Sequence, residues 1–125
     1  MNVLIFGATG SIGDSFFSIV RKNKSKINVV GATCNKRIKK LSKLCDEFKI
    51  EQVGIENYNM YQKFTKKSKY PKKKILGIKN FNKLINKNID IIIFAISGLA
   101  SLKLALDIAK SGKIIGLANK ECIIS

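Results

Sequence analysis

The order of three adjoining segments at the N-terminus constrains the fold more than any other feature. Asn2–Phe6 is a short, continuously apolar run, stopped by Gly7. Gly7-Ala8-Thr9-Gly10-Ser11-Ile12-Gly13 follows at once, and Ser11–Lys22 then reads as a helix with Ile12, Phe16, Ile19 and Val20 on one stripe. An apolar run without polar alternation suits a strand buried on both faces, which is the condition of strands in parallel sheets.

The alternation continues along the chain. Ile27–Thr33 is a second buried strand, and Ile38–Phe48 a helix carrying Leu41, Leu44, Cys45 and Phe48 at helical spacing. Gln52–Ile55 is a short strand, and Asn57 caps a helix running to about Lys66. Lys74–Gly77 is a strand and Phe81–Ile85 a short helix. Asp90–Ala95, with Ile91-Ile92-Ile93-Phe94, is the strongest strand signal. Leu99–Ser111 is an amphipathic helix closed by Gly112, and Lys113–Leu117 a last strand. Strands alternating with helices predict an α/β fold: a Rossmann-like, doubly wound, mostly parallel sheet with helices on both faces. No internal repeat or linker interrupts residues 1–125, so one domain is expected.

Several function classes are excluded early. The three cysteines, Cys34, Cys45 and Cys122, form no CxxC pair and leave an odd thiol, which argues against a disulfide framework or a cysteine zinc site. There is no histidine, so this chain alone supplies no imidazole base or ligand. The longest uncharged apolar stretch, Ile91–Leu102, is far short of the roughly 20 residues a spanning helix needs. The N-terminus has neither a basic n-region nor a small-residue cleavage site, so a cytoplasmic protein is expected.

The net charge of +16 invites a nucleic-acid reading. Yet 22 of the 24 cations are lysine, and base readout favours arginine. The densest cluster, Lys66 to Lys74, surrounds the only proline and reads as a solvated loop. Lys, Ile and Asn make up 53 of the 125 residues, a bias of composition more than of one surface. A basic nucleic-acid-binding module stays as the alternative from a different class.

The glycine segment stands where a dinucleotide loop must stand, between a buried strand and a helix. Gly7 can make the tight turn, Gly10 lets a diphosphate approach the backbone, and Gly13 lets the helix pack close to the sheet. The helix N-terminus offers N–H groups to phosphate, and Thr9 and Ser11 add hydroxyls. The spacing is GxxGxxG, and a plain strand-to-helix turn is the competing reading. No GK[ST] follows, so it is not a P-loop.

At the end of the second strand, NAD-binding proteins of this architecture place an acid for the ribose 2′-hydroxyl. Here Asn35-Lys36-Arg37 stands in that place, and the first acid beyond is Asp46. Lys36 and Arg37 attract a 2′-phosphate, so NADP is favoured over NAD. Ordinary surface charge is the bland alternative. Ala95-Ile96-Ser97-Gly98 and Asn119-Lys120-Glu121 lie at the carboxyl ends of two later strands, where ligands of open sheets bind. Read by residue type alone, they are also a simple turn and a helix cap.

With these blocks in hand, the chain resembles the N-terminal region of the 1-deoxy-D-xylulose 5-phosphate reductoisomerases. The match rests on Val3 to Gly13, on Ala95 to Gly98, and on Leu117-Ala118-Asn119-Lys120-Glu121. The resemblance implies that Thr9, Gly10, Ser11 and Ile12 form the NADPH diphosphate loop. Asn35, Lys36 and Arg37 match the segment holding the adenosine 2′-phosphate, where the family has Gly-Lys-Asn and only Lys36 agrees in type. Asn119 and Glu121 match NADPH-contacting positions, and Lys120 a contact to the sugar-phosphate substrate.

The family's reaction isomerises 1-deoxy-D-xylulose 5-phosphate with the help of a divalent metal (Mg²⁺, Mn²⁺ or Co²⁺). NADPH then reduces the product to 2-C-methyl-D-erythritol 4-phosphate, in non-mevalonate isoprenoid biosynthesis. By the resemblance, the metal carboxylates and catalytic histidine lie beyond the Leu117–Glu121 block. The chain is therefore expected to be a fragment that holds cofactor without turnover, carrying no catalytic or metal-binding residues of its own. The family is homodimeric through contacts largely in that later part. A further alternative is another NADP-dependent dehydrogenase domain sharing only the glycine loop.

Overall fold

A computed structural model of the chain describes residues 1–67, 74–96, 110 and 114–117. Among these residues six strands form one sheet: β1 (Asn2–Phe6), β2 (Asn28–Cys34), β3 (Gln52–Ile55), β4 (Ile75–Gly77), β5 (Ile91–Phe94) and β6 (Ile114–Leu117). Their spatial order is β4-β3-β2-β1-β5-β6, and every neighbouring pair is parallel. The chain thus builds outward from β1 on one side, then crosses back to add β5 and β6 on the other. The direction reverses between β1 and β5, and this is where open parallel sheets bind ligands.

Three helices connect the first four strands: α1 (Ser11–Lys22), α2 (Ile38–Phe48) and α3 (Tyr58–Lys67). Successive strands added in one direction with right-handed crossovers put their helices on one face. One core accordingly unites Ile5 of β1 with Phe17 and Val20 of α1, Leu41, Leu44 and Cys45 of α2, and Phe64 of α3. Leu4 and Phe6, the alternate residues of β1, enter a second core with Phe81, Leu84, Ile92 and Phe94. Phe6 meets Phe94 edge-on at 5.9 Å and Phe81 at 6.1 Å. Phe81 and Leu84 come from a 3-10 helix, Ile78–Leu84, covering that second face. β1 is buried on both sides, which explains its unbroken apolar sequence.

The sequence expectation of a doubly wound α/β fold holds. The bounds of β1, α1, α2 and β3 agree residue for residue with the periodicity. Asn57 caps α3 as expected: its Oδ1 accepts from the Met60 N–H at 3.1 Å. Of Phe81–Ile85, expected as a short helix, Phe81–Leu84 form the second half of a longer 3-10 segment, and Ile85 is extended. The helix expected over Leu99–Ser111 lies outside the described residues, apart from Lys110, which is helical.

One expectation is corrected. The inward face of α1 is Gly13, Phe17 and Val20. Ile12 is 39% exposed and Ile19 55%, so neither belongs to the packing stripe. The contact that orients α1 is made by a residue without a side chain, which hydrophobic periodicity cannot register.

At the amino edge of the sheet, polar residues fasten the strand starts. Asn2 donates its backbone N–H to Asp90 Oδ2 at 2.7 Å and its side-chain amide to the Asn88 carbonyl at 2.9 Å. Arg21 joins α1 to α2 through a two-pronged contact with Glu47, at 2.6 and 2.9 Å, and holds that carboxyl below its usual range. These contacts lie at or behind the end away from the glycine loop, leaving the carboxyl edge for ligands.

Candidate functional site: the carboxyl edge of the sheet

The site begins where β1 stops. Gly7 adopts φ +86°, a left-handed conformation that favours glycine. A Cβ there would also stand 2.7 Å from the Ala95 carbonyl oxygen, so the turn sits tightly beside the end of β5. Thr33, fully buried near the end of β2, holds the turn from the other side. Its Oγ1 accepts from the Gly7 N–H at 2.9 Å, and its carbonyl accepts from the Ala8 N–H at 2.7 Å. The Ala95 N–H donates to the Phe6 carbonyl at 2.8 Å. The loop is thereby fixed to both neighbouring strands at the switch point.

Gly13 settles α1 onto this turn. A Cβ at Gly13 would lie 1.9 Å from the Ala8 carbonyl oxygen and 2.4 Å from its carbon. Gly10 differs: nothing lies within 4 Å of where its Cβ would be. Gly10, Ser11 and Ile12 are exposed, whereas Thr9 is buried. What faces outward is therefore a bare backbone at Gly10 and the start of a helix with no side-chain cap. That arrangement suits an anion, because main-chain N–H groups and the helix dipole point the same way.

The charge around the loop is arranged by α2. The Thr9 carbonyl accepts two hydrogen bonds, one from Arg37 Nη1 at 3.1 Å and one from Lys40 Nζ at 3.1 Å. Lys40 also pairs with Asp14 at 2.7 Å. Asp14 is the acid of the first turn of α1, and its charge would otherwise repel a diphosphate at the loop. Lys36 and Asn35 are exposed at the end of β2. Arg37 reaches the glycine loop through its bond to Thr9, and Lys36 stands beside it in the chain.

The next strand end is stitched alongside. The Glu56 N–H donates to the Cys34 carbonyl at 2.8 Å, and the Asn57 N–H to the Asn35 carbonyl at 3.1 Å. Burial pushes the Glu56 carboxyl above its usual range. Burial also pushes the Cys34 thiol up to about 12, with smaller contributions from Cys45 and Glu56. Cys34 is thus a packing residue and no nucleophile.

Sequence reasoning missed Thr33 and Lys40. Thr33 had one signal, a hydroxyl at the end of an otherwise apolar strand. Lys40 had none beyond its place one turn after Arg37. Of the expected site residues, Thr9, Gly10, Ser11, Ile12, Asn35, Lys36 and Arg37 gather on one edge of the sheet. Asn119, Lys120 and Glu121 lie outside the described residues, as do Ser97 and Gly98. Among the described residues no three His, Cys, Asp or Glu side chains cluster to hold a metal, and no helix is long and apolar enough to cross a membrane.

The residues present fit a dinucleotide phosphate: open backbone at Gly10, cations at Arg37 and Lys40, and no acid at the end of β2. Comparison with known proteins points to one family. The family model for 1-deoxy-D-xylulose 5-phosphate reductoisomerase matches residues 3–125. The reductoisomerase of Pelagibacter ubique is 40% identical over 125 residues, covering 98% of this chain and 32% of that protein. That of Clostridium botulinum is 31% identical, covering 96% of this chain and again 32% of the relative.

Among solved structures, the Zymomonas mobilis reductoisomerase in complex with NADPH superposes with a TM-score of 0.85 at 26% identity, over 96% of this chain and 32% of its own. A reductoisomerase bound to NADPH, fosmidomycin and magnesium gives 0.80 at 32% identity, over 98% and 31%. The chain spans about a third of the length of these relatives. The glycine loop is therefore not that of an unrelated dehydrogenase, nor is a nucleic-acid module favoured. With a match running from the first strand to the last residue, the chain belongs to the 1-deoxy-D-xylulose 5-phosphate reductoisomerase family.

Proposed function

We propose that this chain is the NADPH-binding part of a reductoisomerase that converts 1-deoxy-D-xylulose 5-phosphate to 2-C-methyl-D-erythritol 4-phosphate. The observation that carries this reading is the double cationic contact of Arg37 and Lys40 on the Thr9 carbonyl. It places positive charge beside open backbone, at the switch point of a parallel sheet. When bound, the cofactor supplies the hydride.

The residues of this chain bind and orient. Gly10, Ser11 and Ile12 receive the diphosphate on main-chain N–H groups. Thr9 contributes by shaping the turn, its carbonyl being occupied. Asn35, Lys36 and Arg37 receive the 2′-phosphate. Asn119 and Glu121 hold the nicotinamide half of the cofactor, and Lys120 meets the sugar-phosphate substrate. Residues 1–125 act as one cofactor domain. The metal of the complete enzyme has no ligand set among the described residues, so none is assigned here. The complete enzyme is proposed to be a cytoplasmic homodimer.

The test is a fluorescence titration of the folded chain with NADPH and NADH. NADPH should bind more tightly, and Lys36→Glu should weaken NADPH by about tenfold or more while leaving NADH nearly unchanged. Equal affinity for the two cofactors, or equal losses in the variant, would reject the assigned phosphate pocket.

A further inference from the structure

A cavity of about 770 Å³ opens between α2 and α3, on the helical flank of the sheet. It contains none of the glycine-loop residues. Both helices begin at the carboxyl edge, so the cavity starts at Lys36 and Arg37 and runs down the flank to Asp46 and Lys67. Six of its eleven lining residues are cationic and one, Asp46, is acidic. Met60 and the buried Phe64 add apolar surface. Its size is that of a small-molecule site.

We propose that this cavity is a second ligand site, for an organic phosphate with an apolar body, and that its occupancy opposes NADPH binding. The polarity of the lining sets the ligand class. Lys63 and Lys67 stand one turn apart on α3 and line the cavity further down the flank from Lys36 and Arg37, and among the described residues Lys36, Lys63 and Lys67 form no ion pair. A phosphate there neutralises charge that the single acid of the lining, Asp46, leaves largely unbalanced. A purely polar anion leaves the partly exposed Met60 surface wet; an aromatic or aliphatic body buries it.

The linkage follows from shared residues. Lys36 and Arg37 belong both to this cavity and to the segment assigned to the NADPH 2′-phosphate, so the two phosphates compete for the same cations. This second half of the inference rests on the proposed function; the first half does not. NADH, lacking the 2′-phosphate, makes no such demand.

The experiment uses 1-naphthyl phosphate as a fluorescent probe and inorganic phosphate as the comparator, with the folded chain at low ionic strength. Naphthyl phosphate should bind saturably and more tightly than inorganic phosphate. The double variant Lys63→Glu/Lys67→Glu, changing two exposed side chains, should weaken it by about tenfold. The same variant should keep the parent affinity for NADPH, which shows that the fold and the loop survive. Saturating probe should raise the apparent NADPH dissociation constant and leave that for NADH unchanged. Absent probe binding, or binding indifferent to the double variant, overturns the site. Probe binding with no effect on NADPH overturns the linkage. If NADPH itself fails to bind, the proposed function falls, and the probe titration still reads the cavity.

Discussion

The two glycines that flank the start of α1 should fail in opposite ways when a methyl group is added. At Gly13, the new Cβ would sit 1.9 Å from a carbonyl oxygen and 2.4 Å from its carbon. Both are backbone atoms of Ala8, in a turn held by Thr33, so neither can swing aside. The helix must lift by more than an ångström, and Phe17 and Val20 on the same face lose contacts with it. Overpacking alone costs roughly 1–3 kcal/mol. Partial exposure of two buried side chains, each worth roughly 1.5–3 kcal/mol when fully buried, adds to that. A loss of at least about 3 kcal/mol is expected for Gly13→Ala, or about 10 °C in melting temperature for a chain this size. At Gly10 the Cβ meets open space and the backbone, at φ −90° and ψ −171°, accepts alanine. The poorer helix cap and the stiffer unfolded chain offset each other, so Gly10→Ala should stay within about 1 kcal/mol of the parent. Its NADPH affinity should drop about tenfold, because the methyl group stands where the diphosphate approaches. Circular-dichroism melts and cofactor titrations of both variants read the two effects separately. A Gly13→Ala melt within 2 °C of the parent, or unchanged NADPH affinity in Gly10→Ala, would refute the packing or the approach respectively.

Thr33→Val is nearly isosteric but leaves the Gly7 N–H without its acceptor. Chemical denaturation should show a loss of about 1–3 kcal/mol, and a value near zero would mean the hydroxyl does not hold the turn. Glu56 is half-buried with its carboxyl pKa raised by burial, so the native state binds its proton more tightly than the unfolded chain. The resulting penalty grows as pH rises from the ordinary glutamate value through the raised one, and is complete at neutral pH. Glu56→Gln should therefore stabilise the fold at pH 7, with the gain vanishing below about pH 4; a gain that persists in acid contradicts the burial origin. Cys34, with its thiol pushed up to about 12, should resist iodoacetamide in the native state at pH 8 and react on unfolding. Peptide mapping that finds Cys34 alkylated without denaturant would contradict its burial.

How far the sequence predicts this site depends on what each residue signals locally. The turn from β1 into α1 is legible because its determinants are contiguous: an apolar strand, three glycines at fixed spacing and a helix. The parallel sheet with its covering helices is legible because strands alternate with helices and parallel strands need crossovers; the strand order is seen only in the fold. The face of α1 is not, because Gly13 makes the decisive contact without side-chain hydrophobicity, while Ile12 and Ile19 carry hydrophobicity without burial. Lys40 is invisible in a chain with 22 lysines, since its role depends on a distance across the fold rather than on its neighbours. Thr33 falls between: its hydroxyl stands out in an apolar strand, but only the pairing of β2 with β1 shows what it holds.

The pairing of Arg37 and Lys40 on one carbonyl has a consequence for cofactor choice. If cations near the 2′-phosphate did nothing else, removing either would convert an NADPH site toward NADH. Arg37 is not free in that sense, because its Nη1 holds the Thr9 carbonyl and so shapes the loop proposed to receive the diphosphate of either cofactor. Arg37→Ala should weaken NADPH and NADH together, by about fivefold for the lost loop contact at roughly 1 kcal/mol, with a further loss for NADPH alone. Lys36 has no such bond among the described residues, so Lys36→Glu should separate the cofactors cleanly. Isothermal titration of the two variants with both cofactors decides the matter. If Arg37→Ala leaves NADH affinity untouched, the Thr9 contact does not hold the loop, and the cations act on the 2′-phosphate alone.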